Sequence, residues 1–418
     1  MNTRLQPRLI AFLVMTLLLA ACGSNSVTTN TPVPAGGPTT AASPVGGGSR
    51  EPTGEPIATS ASEPTASVEP TTEANATAPV EETSSAAGPT AAGGPAAQAS
   101  ATSGSVKMLN LALMINGTLG DKGFFDSAKA GTDRAKAELG AKVRVVEERD
   151  AANWESVLRQ LAQGDYDAIV LGTFQMVDAL NNVAPEFPNQ KFILFDATVD
   201  QPNVANIVYA QNEGSFLAGA LAGCVVSRSE MKGLSGDKVI GAVGGLDIDV
   251  INDFIVGYEQ GAKYVDPEIE VLKAYNSGAN AFEDPNKGKE LANAQLEQGA
   301  GVVFNVAGKT GLGVLEAASE AGRYSVGVDS NQNALYPGSV LTSMLKRVDN
   351  SVFDLIQIEA TSSLRTGRTY PYGIQNEGVG LAEDALYDQH VPQACKDQVE
   401  KAKMDIASGK VEVATAFK

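Results

Sequence analysis

Gly301-Val-Val-Phe-Asn-Val-Ala-Gly-Lys-Thr-Gly-Leu-Gly-Val-Leu-Glu-Ala-Ala-Ser-Glu-Ala-Gly-Arg-Tyr-Ser-Val-Gly-Val-Asp329 holds a whole strand, helix and strand in one stretch. Val302–Val306 is a short apolar run of the kind that forms a strand buried on both faces. A glycine-rich turn follows, then a helical pattern over Gly311–Ala321. Ser325–Val328 is the second buried strand, and Asp329 ends it. Two buried strands joined by a helix are expected to lie parallel.

The same rhythm extends in both directions. Before it come strands at Lys238–Val243 and Glu270–Tyr275 and helices at Gly214–Val226, Asp249–Tyr264 and Asn286–Gln298. After it come a strand at Val340–Met344 and a helix at Asn350–Leu364. An earlier series runs through strands at Lys107–Ile115, Lys142–Glu147, Ala168–Leu171 and Lys191–Phe195. Helices at Asp126–Leu139, Asn153–Gln163 and Val177–Ala184 separate these strands. The expected fold class is α/β, with two doubly wound parallel-sheet lobes. The folded part spans residues 106–418, lobe 1 about 106–211 plus 332–372 and lobe 2 about 212–331 plus 373–418. Three crossings near Ala210–Glu213, Ser330–Asn333 and Tyr372–Asn376 would form the hinge. Open α/β sheets bind ligands beyond the carboxyl ends of their strands, so two such lobes make a cleft.

The first residues carry an address. Arg4 and Arg8 precede an apolar run, Leu9–Ala21, which ends in Leu-Ala-Ala-Cys22. A basic start, a short apolar stretch and a small-residue cleavage site make a secretory signal over residues 1–21. The run is shorter than the roughly 20 residues a spanning helix needs. Cys22 after Leu-Ala-Ala resembles a bacterial lipobox, which implies lipidation of Cys22 and a membrane anchor on the extracytoplasmic side. Residues 22–105 then form a Thr/Pro/Ala/Gly/Ser-rich linker with no Phe, Tyr, Trp, Leu or Met. Such a segment buries too little apolar area to offset its ordering entropy, so it is expected to be a disordered spacer.

Of the net charge of −18, the leader holds +2 and the linker seven glutamates against one arginine, which leaves −14 on the folded part. That acidity argues against nucleic-acid partners. Cys224 and Cys395 are left as a disulfide or as two buried thiols. With one histidine, His390, and no paired-ligand spacing, no metal site or cofactor is expected. Gly308-Lys309-Thr310 lacks the glycine that a phosphate-binding loop needs five residues earlier, where Val303 stands. No Ser or Cys has a credible His partner, as His390 lies in a stretch expected to be exposed. An enzyme is therefore disfavoured.

The loops after the strands combine glycines, carboxylates and phenylalanines. Glycines let backbone amides approach a ligand, carboxylates accept hydrogen bonds, and aromatic faces stack on flat rings. Six stretches resemble the basic membrane protein family, the PnrA-like substrate-binding lipoproteins of ABC transporters. They are Gly120-Asp-Lys-Gly-Phe124, Val243-Gly-Gly-Leu-Asp247, Asp284-Pro-Asn-Lys-Gly-Lys-Glu290, Ala307-Gly-Lys-Thr-Gly-Leu-Gly313, Val326-Gly-Val-Asp329 and Leu341-Thr-Ser-Met-Leu-Lys-Arg-Val-Asp349. They occur in the family's order across nearly the whole folded part.

The resemblance implies a type I periplasmic-binding-protein fold that captures a nucleoside or similar ring-bearing metabolite by lobe closure. The partners it implies are a small-molecule ligand and an ABC permease; the protein is expected to be a monomer. It places Phe124 on one face of the ligand ring and Phe282, or alternatively Phe254, on the other. Asp196 would meet the base, Asp329 and Lys346 the sugar hydroxyls, and Gly308 would approach by its backbone. Asn116, Asp121 and Phe125 complete the expected ligand set. The family commonly has Asp where Asn116 stands and Asn where Phe125 stands, so the ligand is the open question. A sugar-binding protein or a ligand-sensing receptor would use the same cleft.

Overall fold

The computed structural model describes residues 107–417; the leader, Cys22 and the linker lie outside the described residues. The first lobe opens with β1 (Asn110–Ile115), α1 (Phe124–Leu139), β2 (Lys142–Glu147), α2 (Ala151–Ala162), β3 (Ala168–Gly172), α3 (Val177–Val183), β4 (Phe192–Phe195) and β5 (Val204–Tyr209). The chain then builds the second lobe from α4 (Gln211–Val226), β6 (Val239–Gly244), α5 (Asp249–Val265), β7 (Glu270–Tyr275) and α6 (Pro285–Glu297). That lobe continues through β8 (Val302–Val306), α7 (Thr310–Glu320), β9 (Tyr324–Asp329) and β10 (Val340–Lys346). α8 (Val348–Thr361) and β11 (Arg368–Tyr372) return to the first lobe. β12 (Val379–Leu381), α9 (Ala385–His390) and α10 (Gln393–Ala407) finish on the second.

The two sheets match strand for strand. Their orders are β11-β5-β4-β3-β1-β2 and β12-β10-β9-β8-β6-β7. All pairings are parallel except β10 with β12, which is antiparallel. This is the expected α/β architecture of two doubly wound lobes. The central strands β3, β4 and β8 are buried along their whole length, as parallel strands covered by helices must be.

Local chemistry sets the helix ends. Gly140 adopts φ 68° and closes α1, and Asp150 caps α2 by accepting from the amide of Ala152. Asp284 caps α6, with Pro285 at its first position. α4 is buried over almost its entire length because α5 lies hard against it. A Cβ at Gly219 would stand 1.9 Å from the carbonyl oxygen of Tyr258, so that crossing admits only glycine.

The structure corrects three expectations. The expected lobe 1, about 106–211 plus 332–372, included Val340–Met344, yet β10 pairs with β9 in the second sheet. The crossing therefore falls just after Lys346. Parallel neighbours usually need a long helical crossover, whereas β9 and β10 are joined by a short loop with one 3₁₀ turn, Asn333–Leu335. β5, β11 and β12, with α9 and α10, add to the expected elements. In β5 the polar Asn206 interrupts the apolar run, but its amide bonds both backbone groups of Val199 at 3.0 Å. His390, expected exposed, is half-buried at the end of α9.

Cys224 of α4 and Cys395 of α10 form a disulfide, with Cα atoms 5.5 Å apart. Among the described residues no helix is long and apolar enough to cross a membrane.

Candidate functional site

The carboxyl ends of both sheets face one cavity of about 530 Å³. All nine expected ligand residues line it: Asn116, Asp121, Phe124, Phe125 and Asp196 from the first lobe, Phe282, Gly308, Asp329 and Lys346 from the second. Each sits at a strand end or in the loop or helix start that follows one, as the topology requires.

Asp196 ends β4 and Asp329 ends β9, both in the left-handed region at φ 65° and 66°. This backbone conformation aims the two side chains from equivalent strands into the cleft. Their partners differ. The ammonium of Lys346, a fully buried side chain, bonds the carboxylate of Asp196 across the lobes. The same ammonium lies 5.5 Å from the ring centre of Phe124 and 5.0 Å from those of Tyr209 and Phe254. Asp329, buried at 7 % exposure, accepts no hydrogen bond on its side chain among the described residues.

The electrostatics follow from this. Burial pushes the Asp329 carboxyl up to about 7, against the pull of Lys346 and with the repulsion of Asp121 and Asp196. Burial also raises Asp196, and Lys346 opposes the rise. Asp121 is raised by burial and held back by backbone amides. Its carboxylate accepts from Phe125, Gly123 and Asp126 at 2.8, 3.0 and 3.1 Å. Asp121 thus spends its acceptors on the first turn of α1 and shapes the loop that carries Phe124 and Phe125.

Aromatic walls come from both lobes. Phe124 packs edge-on to Phe125 and tilted against Phe195, each with ring centres 5.4 Å apart. Phe282 rests on Gly245, where a Cβ would stand 2.1 Å from its ring. Gly308 takes φ 55°, which turns its backbone toward the cavity beside Phe282. Phe254 lines the same space but is nearly buried in the core, so Phe282 is the more accessible ring on the second lobe.

The lobes also meet outside the cavity floor. Ser330 donates to the carbonyl of Gly123 at 3.0 Å, and Gln332 to that of Lys122 at 3.1 Å. Thr118 donates to Glu283 at 3.0 Å, and Lys309 stands 3.9 Å from the same carboxylate. The first-lobe residues Arg149, Trp154, Phe174 and Gln175 line the cavity too, as do Glu283 and Lys309. None of these six is among the nine expected residues, although Glu283 and Lys309 lie in loops expected to face the cleft. The signal was present for the first four, because they follow β2 and β3 and so obey the strand-end rule.

Residues 108–412 match the family described as ABC transporter substrate-binding protein PnrA-like. The chain belongs to this family. An uncharacterised lipoprotein of Pyrococcus horikoshii is 33 % identical over 288 residues, 66 % of this chain and 69 % of that protein. Basic membrane protein D of Borreliella burgdorferi is 30 % identical over 290 residues, 68 % of this chain and 81 % of that one. A solute-binding protein of an Aeropyrum pernix ABC transporter superposes with TM-score 0.67 at 29 % identity. That match covers 74 % of this chain and 94 % of the other. Membership gives this PnrA-like chain the type I periplasmic-binding fold and the role of an ABC substrate-binding protein. Its task is to bind a small ligand for a permease, and relatives carry lipoprotein and membrane-protein names.

Proposed function

We propose that the cleft captures a nucleoside or a similar ring-bearing metabolite by closure of the two lobes. The observation that carries this reading is the cavity's division of labour. Phenylalanines from both lobes, Phe124 and Phe282, supply flat apolar faces, and Asp329 is a buried acceptor with no protein partner. A planar ring between aromatic faces gains roughly 1–3 kcal/mol per contact. Hydroxyls donating to Asp329 satisfy a carboxylate that otherwise stays desolvated and alone. Lys346, already bonded to Asp196, supports those hydroxyls with its remaining N–H groups. Because the ligand touches both lobes, its contacts favour the closed arrangement over the open one.

The protein performs this capture at the outer face of the membrane, held by an acyl chain on Cys22, and passes its ligand to a permease. Calorimetric titration with purine and pyrimidine nucleosides, free bases and pentoses tests the reading. Nucleosides are expected to bind far better than free bases. Tight binding of pentoses with no nucleoside response would replace it with a sugar-binding role. Labelling with a fatty-acid analogue checks the anchor: a Cys22→Ser variant should lose the label, and an unlabelled parent would remove the claim.

A further inference from the structure

Resting on the nucleoside reading, we infer that the first-lobe end of the cavity, built by Asn116, Gln175 and Arg149 beside Trp154, selects bases with a lactam edge. A lactam or imide edge is a ring N–H beside carbonyl oxygens, as in hypoxanthine and uracil. The competing amino-edged bases are adenine and cytosine.

These four residues follow adjacent strands. β1 lies between β2 and β3 in the sheet. Asn116 leaves β1, Arg149 and Trp154 follow β2, and Gln175 follows β3. All four line the cavity. Asn116 is 6 % exposed, and its Nδ2 donates to Gln175 Oε1 at 3.1 Å. Its Oδ1 is buried without any partner among the described residues. A buried carbonyl oxygen without a donor is costly, and a ligand N–H removes that cost.

The rest of this end offers donors. The Gln175 oxygen is spent on Asn116, which leaves its NH₂ for a ligand acceptor. Arg149 lines the cavity at an exposed position and forms no ion pair among the described residues, so its guanidinium donors are unspent on protein. The indole N–H of Trp154 is fixed on the Glu148 carbonyl at 3.0 Å, which holds the ring as a rigid wall. One acceptor with donors beside it is the complement of an N–H with carbonyls beside it. An adenine edge instead brings amine hydrogens toward the donors. A guanidinium bonded to a base carbonyl is a common element of specific base recognition. A carboxylate at position 116 would also accept an N–H, but it would draw the guanidinium to itself. The neutral amide leaves Arg149 for the ligand.

The test is calorimetric titration of the intact chain with inosine against adenosine and uridine against cytidine, with Trp154 emission as a second readout. Trp154 is the one tryptophan of the chain, so its emission reports this end of the cavity. The lactam member of a pair is expected to bind about tenfold tighter or more and to quench Trp154. Arg149→Met and Gln175→Leu, both at exposed positions, should bring the ratio toward one. Equal binding, a preference for the amino member, or binding that leaves Trp154 emission unchanged overturns the selection and leaves nucleoside capture standing. Failure of all four nucleosides to bind removes both.

Discussion

Asp196 and Asp329 occupy equivalent places in the two lobes, at the ends of β4 and β9, with nearly identical backbone. They nevertheless live in different chemistry. Lys346, at the end of β10, neutralises Asp196, the aspartate of the opposite lobe. The strand that matches β10 in the first lobe is β5, and it ends in Tyr209, whose ring lies under the same ammonium. One lobe supplies the cation and the other an aromatic surface for it. The cleft therefore has three buried carboxylates and one buried ammonium: backbone amides hold Asp121 and Lys346 holds Asp196, so Asp329 is left over. A duplicated architecture thus gives an asymmetric site, with Asp196 held by the protein and Asp329 left without a protein partner among the described residues.

Breaking the Asp196 pair should have the largest effect. Lys346→Met leaves a second buried carboxylate alone, and removing one partner of a buried pair costs about 3–5 kcal/mol. Calorimetric unfolding should show the fall. The double variant Asp196→Asn/Lys346→Met should recover much of it, because no uncompensated charge remains. Failure to recover would mean that the lysine acts through packing against its three aromatic neighbours.

Asp329 should respond in the opposite sense. Its carboxyl sits near 7 instead of its ordinary 3.8, so between those values the native state keeps a proton the unfolded chain has released. Its contribution to the stability of the ligand-free protein is present below about pH 4, declines toward pH 7 and stays lost above it. Asp329→Asn should abolish that part of the decline and stabilise the empty protein at pH 8 by a few kcal/mol at most, while weakening ligand binding. Thermal midpoints measured from pH 4 to 8 decide this. An unchanged slope in the variant would mean that Asp329 ionises normally.

The aromatic walls sharpen the comparison further. Phe124→Ala and Phe282→Ala should each weaken nucleoside binding by roughly 1–3 kcal/mol, one from each lobe. A loss confined to one of them would show that the ring leans on a single lobe. The smallest effect is expected at the rim. Thr118→Val removes the bond to Glu283 and should weaken closure by about 0.5–1.5 kcal/mol, seen as a slightly weaker ligand affinity.

The fold was largely readable because each βαβ unit declares itself locally. Val302–Val306 and Glu270–Tyr275 fall where their apolar runs place them. β12, with three residues, has no such period to read, and Pro371 masks the edge strand β11. The cleft loops were readable because strand ends gather by topology, while the choice of the nine residues within them came from the family resemblance. Trp154, Arg149 and Gln175 obey the same rule but lie in loops without the glycine-rich signature.

The sequence by itself determined the alternation of strands and helices, the two lobes and the loops that face the cleft. These depend on hydrophobic period and turn chemistry, which act over a few residues. Tertiary structure decided that β10 joins the second sheet, that Cys224 meets Cys395 and that Lys346 bonds Asp196 instead of Asp329. Those choices depend on which surfaces dock after the chain has crossed between lobes three times. The charges that meet there are 150 residues apart in sequence, and no local pattern records their distance in space.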